Sequence, residues 1–91
     1  MNYLHNELEL NESDVVEVSL NHAANVQLLD EANFALYQQG KPYRYIGGYY
    51  QETPARIPTP RDGRWHLVVD LGGGAGSVRA SLRVISPMAV A

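Results

Sequence analysis

The residues most able to do chemistry are three histidines, His5, His22 and His66, in a chain of 91 residues without cysteine. Lack of cysteine removes disulfides, thiol nucleophiles and thiolate zinc sites together. Chemistry would have to come from imidazole, carboxylate and hydroxyl groups. His66 and Asp70 lie four residues apart in Gly63-Arg64-Trp65-His66-Leu67-Val68-Val69-Asp70-Leu71, the strongest strand pattern in the chain. Alternation puts both on one face, but about 13 Å apart along the strand, too far for a hydrogen bond or a shared metal ion. A hydrolase built on His66 and Asp70 would need a further group, and His5 qualifies if its strand is a neighbour. Ser13, Ser19, Ser77, Ser81 and Ser86 sit in no nucleophile-elbow context. We assign no catalytic residue, no metal ligand and no cofactor, and expect a protein that is not an enzyme.

Two other segments invite a binding role. Gly72-Gly73-Gly74-Ala75-Gly76-Ser77 has the composition of a phosphate loop. Such a loop needs a helix after it, so that backbone N–H groups face the anion. A β-patterned stretch follows instead, so the segment reads as a hairpin loop. Tyr43-Arg44-Tyr45-Ile46-Gly47-Gly48-Tyr49-Tyr50 is the better candidate. Tyrosine offers apolar area with a polar tip, and tyrosine with arginine is favoured at interfaces. Tyr43, Arg44, Tyr45, Tyr49 and Tyr50 are the candidate contact residues. Two readings stay open: Tyr43 and Tyr45 close one side of a core, or the segment meets a protein or carbohydrate.

The acidic balance, with a net charge of -3, and the lack of a lysine-rich stripe argue against a nucleic-acid partner. That charge hides an asymmetry. Residues 1–31 hold seven acids (Glu7, Glu9, Glu12, Asp14, Glu17, Asp30 and Glu31) and no Lys or Arg. Residues 32–91 hold all seven basic residues against Glu52, Asp62 and Asp70, a balance of +4. Acidic N-terminal strands beside basic C-terminal strands would give opposite-charge cross-strand pairs and bring the two ends of the chain into one sheet.

The elements that must position these groups are short strands. Tyr3 to Leu10 alternates, with Leu4, Leu8 and Leu10 on one face and His5, Glu7 and Glu9 on the other. Asn11-Glu12-Ser13-Asp14 is a turn. Val15 to Leu20 buries Val16, Val18 and Leu20, and Asn25 to Leu29 buries Val26 and Leu28. Asp30 can cap a helix with Glu31 in its first turn, and Gly40 can end it. The expectation over residues 31–39 is at most one short helical turn. Pro42 to Gln51 reads as a strand interrupted at Gly47-Gly48 by a turn or bulge. Thr53 to Pro60, with three prolines, reads as an edge strand or extended connection. Trp65, Leu67, Val69 and Leu71 face inward. Val78 to Ile85 folds back alongside them, with Val78, Ala80, Leu82 and Val84 inward.

About seven to nine short strands with regular turn signals predict an all-β antiparallel sandwich or small barrel. Residues 1–86 form one domain and 87–91 a flexible tail. The N-terminus has no basic n-region and the chain no long apolar run. With no cysteine, the expectation is a cytoplasmic location, no membrane partner, and a bacterial-type protein.

Asn11-Glu12-Ser13-Asp14-Val15-Val16-Glu17-Val18, Ala24-Asn25-Val26-Gln27-Leu28-Leu29-Asp30, Tyr43-Arg44-Tyr45-Ile46-Gly47-Gly48 and Gly63 to Gly73 together resemble a bacterial family, domain-of-unknown-function family 1883. The resemblance spans residues 1–86 and implies a jelly-roll β-sandwich of the CUB-like type. Some members of that family carry the domain beside a TIR domain. These 91 residues contain no TIR segment, so no TIR-type activity is carried over. The family supplies no catalytic residues. The functional expectation is a non-enzymatic adaptor or sensor module that binds an unknown protein or small ligand through the tyrosine-arginine segment. A homodimer through an edge strand is compatible with it. The alternative is a carbohydrate-binding module, and the third reading is the hydrolase on His66 and Asp70.

Overall fold

The computed structural model describes residues 3–71 and 78–86. Seven strands and one helix follow in the order β1 (Leu4–Leu10), β2 (Val15–Leu20), β3 (Ala24–Asp30), α1 (Glu31–Gln38), β4 (Ile46–Tyr50), β5 (Ala55–Pro58), β6 (Gly63–Asp70) and β7 (Ala80–Ile85). They form two antiparallel sheets, one ordered β1-β6-β3-β4 and the other β5-β2-β7. The fold is an all-β antiparallel sandwich, as the strand pattern implies.

The main core lies between the sheets. Val16 and Val18 from β2, Val26 and Leu28 from β3, and Trp65, Leu67 and Val69 from β6 are buried in it, with Ala55 and Ile57 from the edge strand β5. Alternation makes this work, because every second residue of each strand faces the opposite sheet. The ends of the alternating runs are less enclosed. Leu4, Ala80 and Val84, expected inside, are exposed at the margins of the sandwich.

The larger departure is on the outer face of the four-stranded sheet. Residues Trp65 to Asp70 are buried without a break. His66, Val68 and Asp70, read as outward-facing, are covered because α1 lies over them. Leu29, Phe34 and Val68 form a second small core there, flanked by Tyr3, Tyr37 and Tyr43. The helix runs for eight residues rather than a single turn. An isolated helix this short is marginal. Its stability comes from this packing and from its caps. Asp30 accepts a hydrogen bond from the Asn33 backbone N–H at 2.9 Å, and Gly40 leaves the far end at φ 71°.

Three other expectations change. Residues 41–45 are not a strand, and Gly47-Gly48 is neither a turn nor a break in register, since Gly47 pairs with Gln27 and Gly48 with Val26 inside β4. A Cβ on Gly47 would fall 2.2 Å from the Val26 carbonyl oxygen, so the close approach of the backbones explains the glycine. β7 does not fold back on β6. It pairs with β2 in the other sheet, so the chain crosses between sheets after β6. Residues 72–77, read as a hairpin loop, and 87–91, read as a tail, lie outside the described residues.

The charge asymmetry resolves into cross-strand pairs. Glu9 on β1 meets Arg64 on β6 at 2.8 Å. Glu17 on β2 lies between Arg56 on β5 at 3.0 Å and Arg83 on β7 at 2.7 Å. These pairs occur in both sheets, rather than joining the first and last strands in one.

Replacing Gly47 with alanine should cost on the order of 3 kcal/mol, since backbone strain and a clash with backbone act together. The urea midpoint of Gly47→Ala against that of Gly40→Ala, where no atom lies within 4 Å of a new Cβ, checks this. A smaller loss at Gly47 than at Gly40 would contradict the close-approach explanation.

Candidate functional site

The outer face of the four-stranded sheet gathers most of the chain's chemically able groups, and its register explains how. β1 pairs with β6 so that Glu7 stands opposite His66 and His5 opposite Val68. β3 pairs with the other side of β6, with Leu29 opposite His66 and Asp30 opposite Trp65. Asp30 ends β3 and caps α1. The helix therefore starts directly beside β6, and its first residue, Glu31, lies over His66. Arg61 secures this corner. Its guanidinium bonds Asp30 at 2.6 Å and lies 4.8 Å from the centre of the Trp65 ring, while its carbonyl accepts from the Trp65 indole N–H at 3.2 Å.

The result is a linear chain of groups. His66 Nε2 lies 2.6 Å from Glu31 Oε1, and His66 Nδ1 lies 2.8 Å from His5 Nε2. The two imidazoles have centroids 5.0 Å apart and planes within 18°. Combined with the short N–N distance, this is the geometry of rings lying edge to edge and joined in plane. Phe34 lies parallel to both, with its centroid 4.2 Å from that of His66 and 4.3 Å from that of His5. His66 is 5% exposed, whereas His5 and Glu31 reach solvent. Glu7, Glu31 and His66 each place one ligand-type atom within 4.8 Å of the others.

The sequence-selected pair His66 and Asp70 is not the unit that forms. His66 joins His5 and Glu31. Asp70 belongs to a second polar cluster, where Asn25 Nδ2 donates to it at 3.1 Å and the Tyr37 hydroxyl donates at 3.4 Å. Burial first, and the Asp70 carboxylate second, push the Tyr37 phenol up to about 12. Beside it the Tyr43 hydroxyl donates to Gln27 Oε1 at 3.0 Å.

The tyrosine segment divides. Tyr50, opposite Ala24, turns inward and packs on the main core. Tyr43 is half-buried against α1, with its ring edge-to-face on Tyr37 at 5.2 Å. Tyr45 leans on Tyr43 at 5.7 Å and is 47% exposed, and Tyr49, opposite Asn25, is 58% exposed. The Arg44 side chain is exposed, and its backbone N–H is held by Asn33 Oδ1 at 2.8 Å. Of the two tyrosines read as closing a core, Tyr43 packs and Tyr45 does not; Tyr50 packs as well, and Arg44, Tyr45 and Tyr49 face solvent.

Sequence reasoning missed Glu31, Phe34 and Tyr37 as partners of the histidines and of Asp70. The available signal was Leu29 and Val68, two apolar residues on faces otherwise read as solvent-facing, which required a cover. Among the described residues, no helix is long and apolar enough to cross a membrane.

A family profile described as "Domain of unknown function (DUF1883)" matches residues 1–88. The chain belongs to this family. No curated protein and no solved structure matches it. Membership in the DUF1883 family accords with the resemblance carried by the quoted segments and leaves activity to be argued from geometry.

The His5 imidazole reaches solvent at one side but is partly desolvated where Phe34 and His66 lie against it. It is held below its ordinary value of 6.5 first by that desolvation and second by the adjacent His66, with Glu7 opposing. The unfolded chain therefore binds the proton at a pH where the folded chain does not. The stability this contributes is complete above pH 6.5 and is lost as pH falls through the lower folded value. Glu17, hydrogen-bonded first to Arg83 and then to Arg56, is held below 4.5. Asp30 is held below 3.8 although burial opposes it, because Asn33 and Arg61 outweigh burial. Their contributions disappear at more acid pH. Urea midpoints should decline from about pH 6.5 downward and more steeply below about 4.5. His5→Gln should reduce the first decline and keep the second; an unchanged first decline would show that His5 is not its source.

Proposed function

We propose that this DUF1883 domain is a non-enzymatic binding module, and that its contact surface is the outer face of the four-stranded sheet between α1 and β4. The observation that carries this is the exposure of Tyr45 and Tyr49, at 47% and 58%, beside a packed aromatic row. Tyr3, Tyr37, Tyr43 and Tyr45 meet in succession at centroid distances of 5.4, 5.2 and 5.7 Å. Rings held this way lose little freedom on binding, so the contact area of Tyr45 is partly pre-organised. Exposed Arg44 adds a cation with no ion pair among the described residues. Tyrosine and arginine together are the composition of binding hot spots.

A carbohydrate ligand is the second reading. It is favoured by the polar row behind the tyrosines, in which Asn25 donates to Asp70, the Tyr37 hydroxyl donates to Asp70 and the Tyr43 hydroxyl donates to Gln27. Sugars need such planar polar groups next to an aromatic face.

Alanine at Tyr45, Tyr49 and Arg44 should abolish partner capture from lysate, while Tyr50→Ala should act through stability instead, because Tyr50 packs on the main core. Capture that survives the triple substitution with the fold intact overturns the assignment. A glycan array hit lost in the same variant selects the carbohydrate reading. Light scattering separates capture of another molecule from pairing of two copies along β4, which ends its sheet among the described residues.

A further inference from the structure

We propose that Glu7, Glu31 and His66 form a binding site for a divalent transition-metal ion of the Zn²⁺ type, at the junction of β1, β6 and the start of α1. The first support is convergence. One ligand-type atom from each residue lies within 4.8 Å of the other two, a spacing that bonds of about 2.0–2.2 Å to a common ion can draw together. The three groups come from three elements, and two of them are open to solvent, so an ion has a route in.

The second support is how His66 is held. A metal-bound imidazole is normally fixed by a hydrogen bond from its other ring nitrogen, which sets the tautomer and the ring plane. His66 is buried, its ring lies against Phe34, and its Nδ1 has His5 Nε2 at 2.8 Å. The His5 link works in either direction. When His66 Nε2–H donates to Glu31, His5 Nε2–H donates to His66 Nδ1. When Nε2 gives its lone pair to an ion, His66 Nδ1–H donates to His5 Nε2, and His5 carries its proton on Nδ1. Each ring keeps one proton throughout, so the change leaves no buried nitrogen without a partner.

The third support is charge. Glu31 and Glu7 bring two carboxylates to the ion. Arg64 Nη1 lies 3.4 Å from Glu7, yet Arg64 Nε is held by Glu9 at 2.8 Å, so the arginine keeps a carboxylate when Glu7 turns to the ion. An imidazole with two carboxylates suits Zn²⁺ over Mg²⁺, which prefers an all-oxygen octahedral shell.

Calorimetry on the chelator-treated chain with Zn²⁺ should give one saturable site, and Co²⁺ should give visible absorption from the same site. Glu31→Gln, on the exposed helix surface, should weaken Zn²⁺ binding at least about tenfold, and His5→Phe by about 10–100-fold as an outer-shell partner. His66→Gln should abolish binding, and Glu12→Gln should leave it unchanged. The His66 Nε2 nitrogen resonance should shift on Zn²⁺ addition in the folded wild-type chain. Absence of saturable Zn²⁺ binding overturns the proposal. So does equal affinity for Mg²⁺, or Zn²⁺ affinity unchanged in Glu31→Gln with the His66 resonance unmoved.

Discussion

Everything in this molecule depends on one constraint: β6 has no solvent face along its inner six residues. Trp65, Leu67 and Val69 fill the core between the sheets, and His66, Val68 and Asp70 are buried on the other side. A strand buried on both faces needs a layer on each. The three-stranded sheet supplies one, and α1 supplies the other. The second layer is small, which is why the group it covers least easily, the imidazole of His66, needs polar neighbours. An imidazole taken from water without partners would be costly. Glu31 and His5 meet that need at its two nitrogens.

The same constraint explains the division between the two outer faces. On the three-stranded sheet no helix intervenes among the described residues, and Glu17 between Arg56 and Arg83 ties its three strands across their width. Glu17 is buried while both guanidiniums reach solvent, so water screens each pair from the arginine side and tempers its contribution. Their value here is in register, because one carboxylate meets a guanidinium on each side only when both neighbouring strands are correctly aligned. On the four-stranded sheet, α1 covers β6 and leaves β4 at the edge. Tyr49 and Tyr45 emerge there because the helix stops short of them.

Much of the sandwich was legible in the sequence. Alternation gives β2 its limits, and Asp30, Glu31 and Gly40 mark the helix at both ends. The opposite-charge pairs follow from the separation of acids and bases along the chain. What was not legible is long-range. Period-two alternation assigns side chains to two faces, but it does not say whether the polar face meets water or another element. Val68 and Leu29 were the hint that it meets another element. Strand neighbours were equally hidden. Nothing local distinguishes a β7 that pairs with β6 from one that crosses to β2, because either arrangement alternates in the same way. Gly47 misled for a related reason: a glycine in a strand signals turn, bulge or close approach alike, and only the Val26 carbonyl decides among them.

His5 and His66 illustrate how a polar, hydrogen-bonded arrangement can arise from such hidden geometry. They are 61 positions apart, and neither stands in a motif. Antiparallel pairing of β1 and β6 places them on neighbouring strands, and the helix start brings Glu31 to the free side of His66. Phe34, one helical turn after Glu31, then covers both rings. The spacing from Asp30 to Phe34 thus does two jobs: it caps the helix, and it closes the roof over the histidines. A substitution at Phe34 would remove the roof and the second core together. Loss of that ring by Phe34→Ala has a cost of about 3–5 kcal/mol in comparable cores, which makes this face a structural requirement before it is anything else. Any role for its histidines and tyrosines has to be compatible with that requirement. Polar groups at the edges of the Phe34 roof are one arrangement that is.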